Sequence, residues 1–215
     1  MTINKGKTKT MIFNMTRMFQ FPPEISLAEP EFLEVVDEAK ILGVIISNDL
    51  KWTKNTDYIV QKALKNIWVI RRMKNLGFDD HTLKDIYLKE IRSVLEFAVP
   101  VWTGALTQKD SDRIENIQKR VIKLILQNKY SNYENACETL KCDTLKDRRL
   151  KLCLNFSRKE YKKENSMFNK LYPTIKTRQS NKKIVKEFSC LTDRFFRSSL
   201  PFLSRMLNEN HANNK

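Results

Sequence analysis

The chain has 215 residues, with 40 Lys+Arg against 25 Asp+Glu, a net charge of +15. Apolar residues make up 41%, too many for a disordered chain of this charge, and the length supports one or two domains with a real core. Four Gly and six Pro exclude collagen-like and many-turned β classes, no apolar run approaches the ~20 residues of a membrane-spanning helix, and MTINKGKTKT has no apolar region of a secretory leader.

Charge is distributed unevenly: residues 1–23 carry +4, 24–50 carry −6, 51–130 carry +7 and 131–215 carry +10. A sustained positive excess points to a polyanionic partner, of which nucleic acid is the commonest, or to a merely solvated basic surface. Four scattered cysteines, 137, 142, 153 and 190, are too few for a disulfide framework and read as reduced thiols in a nuclear or cytoplasmic protein.

The first 50 residues read as short strands. Thr10–Met15, Ile25–Leu27 and Phe32–Val36 are apolar runs, with Phe21-Pro22-Pro23 between the first two. Lys40–Ile46 is the strongest, a β-branched continuous run of the kind buried on both faces, ended by Ser47-Asn48-Asp49. After Trp52 the period changes to three and four. Ile59, Val60, Ala63, Leu64, Ile67, Trp68 and Ile70 predict a helix over about 55–75, with Gly77 as its C-terminal cap.

Asp80 caps a second helix through Leu83, Ile86, Tyr87, Ile91, Val94 and Leu95, which Pro100 must end or kink. Thr107 and Asp110 form a capping-box variant before a third helix with Ile114, Ile117, Val121, Ile122 and Ile125. Ser131 and Glu134 form another box before a short fourth helix. Asp143 or Thr144 starts a fifth, to about Lys163, with Leu145, Leu152, Cys153 and Phe156 inward. Residues 164–190 read as an irregular basic arm, Pro201–Asn208 as a last short helix, and the remainder as a frayed tail.

No catalytic constellation is complete. Asp79-Asp80 after Phe78 has the look of a paired-carboxylate metal turn, but a helix precedes it and another follows, so helix capping is the simpler role. His81 and His211 lack ligand partners at suitable spacing, and Cys137 and Cys142 lack the second pair of a zinc site. No glycine-rich phosphate loop or nucleophile elbow occurs. No metal site is expected. Basic residues do gather on helices: Lys62, Lys65, Arg71, Arg72 and Lys74 on the first; Arg113, Lys119, Arg120 and Lys123 on the third; Arg148, Arg149, Lys151, Arg158, Lys159, Lys162 and Lys163 on the fifth. These are the candidate nucleic-acid contacts, and the alternative is a solvated face with lysines suited to helix C-termini. Trp52 and Trp102 suit a core better than a stacking platform.

Several stretches, in order, resemble the C-terminal part of the reverse transcriptase of non-LTR (LINE-like) retrotransposons. They are Asn4-Lys5-Gly6-Lys7-Thr8-Lys9-Thr10-Met11-Ile12-Phe13, then Ala39–Ile46 with Asp49-Leu50-Lys51-Trp52, then Ser93–Trp102 ending in Pro-Val-Trp, then Ile114–Arg120, and finally Arg194–Leu203. The resemblance spans nearly the whole chain. It implies an α+β, mostly α fold: a small antiparallel palm remnant (residues 1–50), a helical thumb (51–163), and a basic extension with a short terminal helix (164–215). It implies a template–primer of RNA or DNA as partner; no membrane is expected, since no long apolar run occurs. It also implies that Leu42, Gly43 and Val44 are grip-like residues at the primer end, and that Lys7 contacts phosphate or acts as general acid, unless it is an exposed turn lysine. The family's catalytic carboxylates lie upstream of the first motif, so the chain is expected to be an inactive fragment. Mg²⁺ belongs to the complete enzyme and no cofactor to this chain. The alternatives are a helical-bundle protein-interaction module without a nucleic-acid role, and an enzyme completed in trans by a separate palm.

Overall fold

The computed structural model describes residues 8–13, 26–28, 31–163, 166, 170, 174–176, 183–185, 189–190 and 192–213. It is mostly helical with small two-stranded sheets, an α+β, mostly α architecture. The chain divides into two compact units, Met1–Tyr58 and Ile59–Lys215, the division falling inside the first helix.

In the first unit the strands are shorter than the apolar runs suggest. β1 (Lys9–Thr10) pairs in parallel with β4 (Glu34–Val35), and β2 (Ser26–Ala28) pairs antiparallel with β3 (Glu31–Phe32). Met11–Phe13 is not strand, and Asn14 and Met15 lie outside the described residues. The run Lys40–Ile46 is not one covered strand but a hairpin. β5 (Glu38–Ile41) and β6 (Val44–Ser47) pair antiparallel with Ile41 opposite Val44. Leu42 and Gly43 form the two-residue turn, with φ of 47° and 89°. Positive φ at both positions matches the twist of the strands, and Gly43 takes it without a steric cost. The exposed acidic and basic residues of β5 satisfy a strand open to water on one face, so the sheet needs cover on the other alone. That cover includes the start of α1 (Thr53–Asn75), where buried Asn55 accepts a hydrogen bond from the Ile45 N–H at 3.1 Å through Oδ1.

In the second unit, α1 ends in a Schellman arrangement. The Phe78 N–H bonds the Met73 carbonyl at 3.3 Å and the Gly77 N–H bonds Lys74 at 3.0 Å, with Gly77 at φ 85° as its sequence position predicts. α2 (Asp80–Ile86) is capped by Asp79 rather than Asp80: the Asp79 carboxylate accepts from the Thr82 N–H. The helical path continues through a wide π turn, Tyr87–Arg92, into α3 (Ser93–Leu95). Pro100 breaks it as expected. Ala98 turns left-handed at φ 52°, and α4 (Val99–Trp102) restarts with the proline in its first turn. Trp102 is buried and donates its indole N–H to the Phe97 carbonyl at 2.9 Å, while Trp52 is half-buried.

α5 (Gln108–Leu126) starts at the Thr107 cap, whose hydroxyl accepts from the Asp110 N–H and donates to the Asp110 carboxylate. α6 (Tyr133–Thr139) is capped by Asn132 instead of Ser131, because the amide oxygen of Asn132 meets the Asn135 N–H at 2.8 Å. α7 (Leu145–Lys162) is capped by Thr144. Its inward face is Leu145, Arg149, Cys153 and Ser157; Leu152 is half-buried and Phe156 is exposed, against expectation. The 164–190 arm contains an antiparallel pair, β7 (Thr174–Lys176) with β8 (Lys183–Val185), so it is not wholly irregular. α8 (Asp193–Arg197) and α9 (Ser199–Asn213) follow. α9 is longer than the predicted 201–208 and helical into the expected frayed tail, because Leu203 and Leu207 are buried where it packs on α7 and α4. The core joins these with Leu83, Tyr87, Ile91, Leu95, Val99, Ile114, Val121, Ile122 and Ile125.

Candidate functional site

From Tyr58 to Phe78 the sequence contains no acidic residue and five basic ones. On a helix this spacing matters more than the total. Lys65, Arg71 and Arg72 lie three or four positions from Trp68, on the solvent face of α1, with Leu64 four positions before it and Lys62 on the flank. Trp68 is 65% exposed and Leu64 38%, so the apolar stripe predicted to be inward is wider than the stripe α1 buries. Ile59, Val60, Ala63, Ile67 and Ile70 are the buried set. Lys62, Lys65, Arg71 and Arg72 are exposed and make no ion pair among the described residues.

Lys74 behaves differently. Its ammonium lies 2.9 Å from one oxygen of Asp80, and Lys129 lies 2.7 Å from the other. The hydrogen bonds from Lys129 and Lys74 hold the Asp80 carboxyl below the usual carboxylate range. One acid thereby ties the C-terminal end of α1 and the turn that follows α5 to the start of α2. Asp79 and Asp80 thus serve the helix start. The Asp79 carboxyl is likewise held low, by its bond with Thr82. Among the described residues no group of three His, Cys, Asp or Glu side chains is placed to hold a metal ion.

On α5, Lys119, Arg120 and Lys123 are exposed. Lys119 sits over the Tyr133 ring at 5.2 Å and Lys123 over the Tyr130 ring at 5.8 Å. Arg113 is half-buried against Asp110 at 3.1 Å, where it serves the start of the helix rather than the surface. Arg149 is not on a basic face at all, being 3% exposed. Arg148 bonds Glu96 at 3.1 Å and Lys151 bonds Asp143 at 2.8 Å. In the first unit, Leu42 is 92% exposed at the hairpin tip, Gly43 shares the turn and Val44 is buried. Lys7 lies outside the described residues.

Two features escaped the sequence reading. The first is a buried polar knot beneath α5. Gln118, fully buried, accepts from the Tyr87 hydroxyl and donates to the Asp143 carbonyl at 2.9 Å and the Tyr133 hydroxyl at 2.8 Å. Tyr133 donates to Glu115, whose two oxygens accept the Leu145 and Lys146 N–H groups at 2.9 and 3.0 Å, closing the start of α7. Burial pushes the Tyr87 and Tyr133 hydroxyls up, so both remain protonated donors. The second is the buried Arg149. Both residues occupy i, i+4 positions of an apolar stripe (Ile114, Gln118, Ile122; Leu145, Arg149, Cys153), which is the signal that marked them. Burial raises the Cys137 and Cys142 thiols and pushes Cys153 up to about 11, which disfavours the thiolate at these three positions. No helix is long and apolar enough to cross a membrane among the described residues.

No family model, curated protein or solved structure matches the chain.

Proposed function

We propose that the chain binds an RNA or DNA duplex through the solvent face of α1, as a thumb-like part of a non-LTR reverse transcriptase. The observation that carries the reading is a stretch of α1, from Tyr58 onward, without an acid, on whose solvent face Lys62, Lys65, Arg71 and Arg72 surround an exposed Trp68 with no ion pair among the described residues. Cations that a fold does not neutralise are available to phosphates, and their contacts are independent of base sequence. A large exposed aromatic at the centre of that field adds apolar contact with sugars or bases. Lys119, Arg120 and Lys123 on α5 are further exposed cations. The exposed Leu42-Gly43 tip supports a grip-like role for the hairpin, since Gly43 has no side chain to hold a neighbouring backbone away.

The test is fluorescence anisotropy of a labelled duplex across a salt series. With roughly 4–8 phosphate contacts, the log–log slope is expected near −4 to −7, and replacing Lys62, Lys65, Arg71 and Arg72 by Gln removes about 3–4 of it. A flat salt response, or unchanged binding by the quadruple variant, defeats the reading. The pure chain is also expected to extend no primer with Mg²⁺ or Mn²⁺; measurable DNA synthesis would refute its inactivity.

A further inference from the structure

Two cysteines at the end of α6 occupy positions that the backbone itself brings together. The Cys142 N–H bonds the Cys137 carbonyl at 2.8 Å and the Lys141 N–H bonds the Glu138 carbonyl at 2.9 Å, with Lys141 left-handed at φ 50°. These are the two bonds and the reversed residue of a Schellman ending, and Cys137 and Cys142 are the two residues whose side chains meet across it. A direct carbonyl-to-amide bond keeps their Cα atoms within about 6 Å of each other, inside the span of a disulfide. Apolar side chains ordinarily fill this contact; here two thiols do. Both are buried, at 6% and 7% exposure, and unbridged. They also lie within electrostatic reach, since negative charge on Cys142 raises the Cys137 thiol.

We propose that Cys137 and Cys142 are a site of reversible oxidation, closing an intramolecular disulfide at the expense of a low-molecular-weight disulfide such as oxidised glutathione. One thiol gives up its proton, attacks the small disulfide and releases one small thiol. The second thiol gives up its proton, attacks the protein sulfur of the mixed disulfide and releases the other. Two protein S–H bonds are thus exchanged for one S–S bond, and the small disulfide is reduced to two thiols. Burial keeps both protein thiols protonated, so closure is slow and proceeds through opening of the end of α6, where Glu138, Thr139 and Lys141 are exposed. Lys84 and Arg92 oppose that burial at Cys142, which makes it the better first nucleophile. The closed bridge fixes Cys142 next to Asp143, whose carbonyl accepts from Gln118, and so fastens the link between α6 and α7 to the buried polar knot. The site is independent of the duplex-binding reading and stands or falls separately.

The experiment equilibrates the full chain with glutathione buffers of fixed reduced-to-oxidised ratio, once folded and once in urea, traps the remaining thiols with N-ethylmaleimide and maps the products by mass spectrometry. A Cys137–Cys142 bridge is expected in the folded chain, with Cys153 and Cys190 outside it. Because the fold holds the two sulfurs together, the equilibrium constant for closure is expected to be about 10–100-fold higher in the folded chain than in urea, and by linkage the oxidised chain should melt at a higher temperature than the reduced one. Cys190→Ser, at a half-buried position outside the pair, should leave the closure constant unchanged. Oxidation confined to Cys190, or a bridge that joins Cys153 or Cys190 to either partner, overturns the proposal. So does a closure constant no higher in the folded chain than in urea, a constant that falls in Cys190→Ser, or an oxidised chain that melts no higher than the reduced one.

Discussion

α5 buries Ile114, Ile117, Val121, Ile122, Ile125 and Leu126 together with Gln118, whereas α1 buries Ile59, Val60, Ala63, Ile67 and Ile70 but leaves Leu64 and Trp68 in water. Both helices carry a three-and-four apolar repeat. The difference lies in their surroundings: α5 packs against α2, α6 and α7, so its whole apolar width meets other side chains. α1 is held on one side, where Asn66 donates to the Glu90 carbonyl at 2.7 Å, and Leu64 and Trp68 have no such cover among the described residues. Periodicity records which residues burial would suit; the number of neighbouring elements decides how many are buried. The cations follow the same division. On α5, Lys119 and Lys123 lie over rings and Arg113 on Asp110, while the cations around Trp68 on α1 make no ion pair among the described residues.

The contrast can be broken at its most demanding point by Gln118→Leu. It leaves the Tyr87 hydroxyl, the Tyr133 hydroxyl and the Asp143 carbonyl without a partner they now share, and the expected loss is on the order of 3 kcal/mol in urea unfolding. A loss below about 0.5 kcal/mol would show that the knot beneath α5 does not hold the helices.

A smaller effect tests the acid that joins the two helices. Because Lys129 and Lys74 depress the folded-state pKa of Asp80, its contribution is complete above the ordinary carboxylate pKa near 4. It fades as pH falls through the depressed value. Asp80→Asn should therefore lose about 0.5–1 kcal/mol at neutral pH and converge with the parent protein under acid conditions, read as melting temperature against pH. An equal deficit at every pH would deny the ion pairs.

The smallest effect on stability belongs to Trp68→Ala, within about 0.5 kcal/mol, since little of the ring is covered. The same change should weaken duplex binding by about 3–10-fold, through lost apolar contact with the backbone sugars. A large loss of stability with unaltered binding would turn α1 into a second α5.

Much of the helical unit was legible because local chemistry governs its boundaries. Thr107 and Thr144 cap their helices, Gly77 closes α1, and Pro100 forces the chain to break and restart, each through groups within four residues. Shifts of one residue, Asp79 for Asp80 and Asn132 for Ser131, arise where two capping side chains stand together and backbone direction selects between them. The Lys40–Ile46 run misled because apolar continuity resembles a covered strand, while the Leu42-Gly43 pair, able to take positive φ, folds it back on itself.

By itself the sequence determined the mostly helical class, the helix starts and stops, and the acid-free basic stretch that became the face of α1, since these depend on neighbours along the chain. Tertiary structure alone decided that Trp68 stands in solvent, that Gln118 is hydrogen-bonded at both ends of its amide, and that one guanidinium nitrogen of Arg149 has no partner among the described residues. Burial and hydrogen-bond satisfaction depend on residues tens of positions away, and no periodicity encodes which of them will arrive.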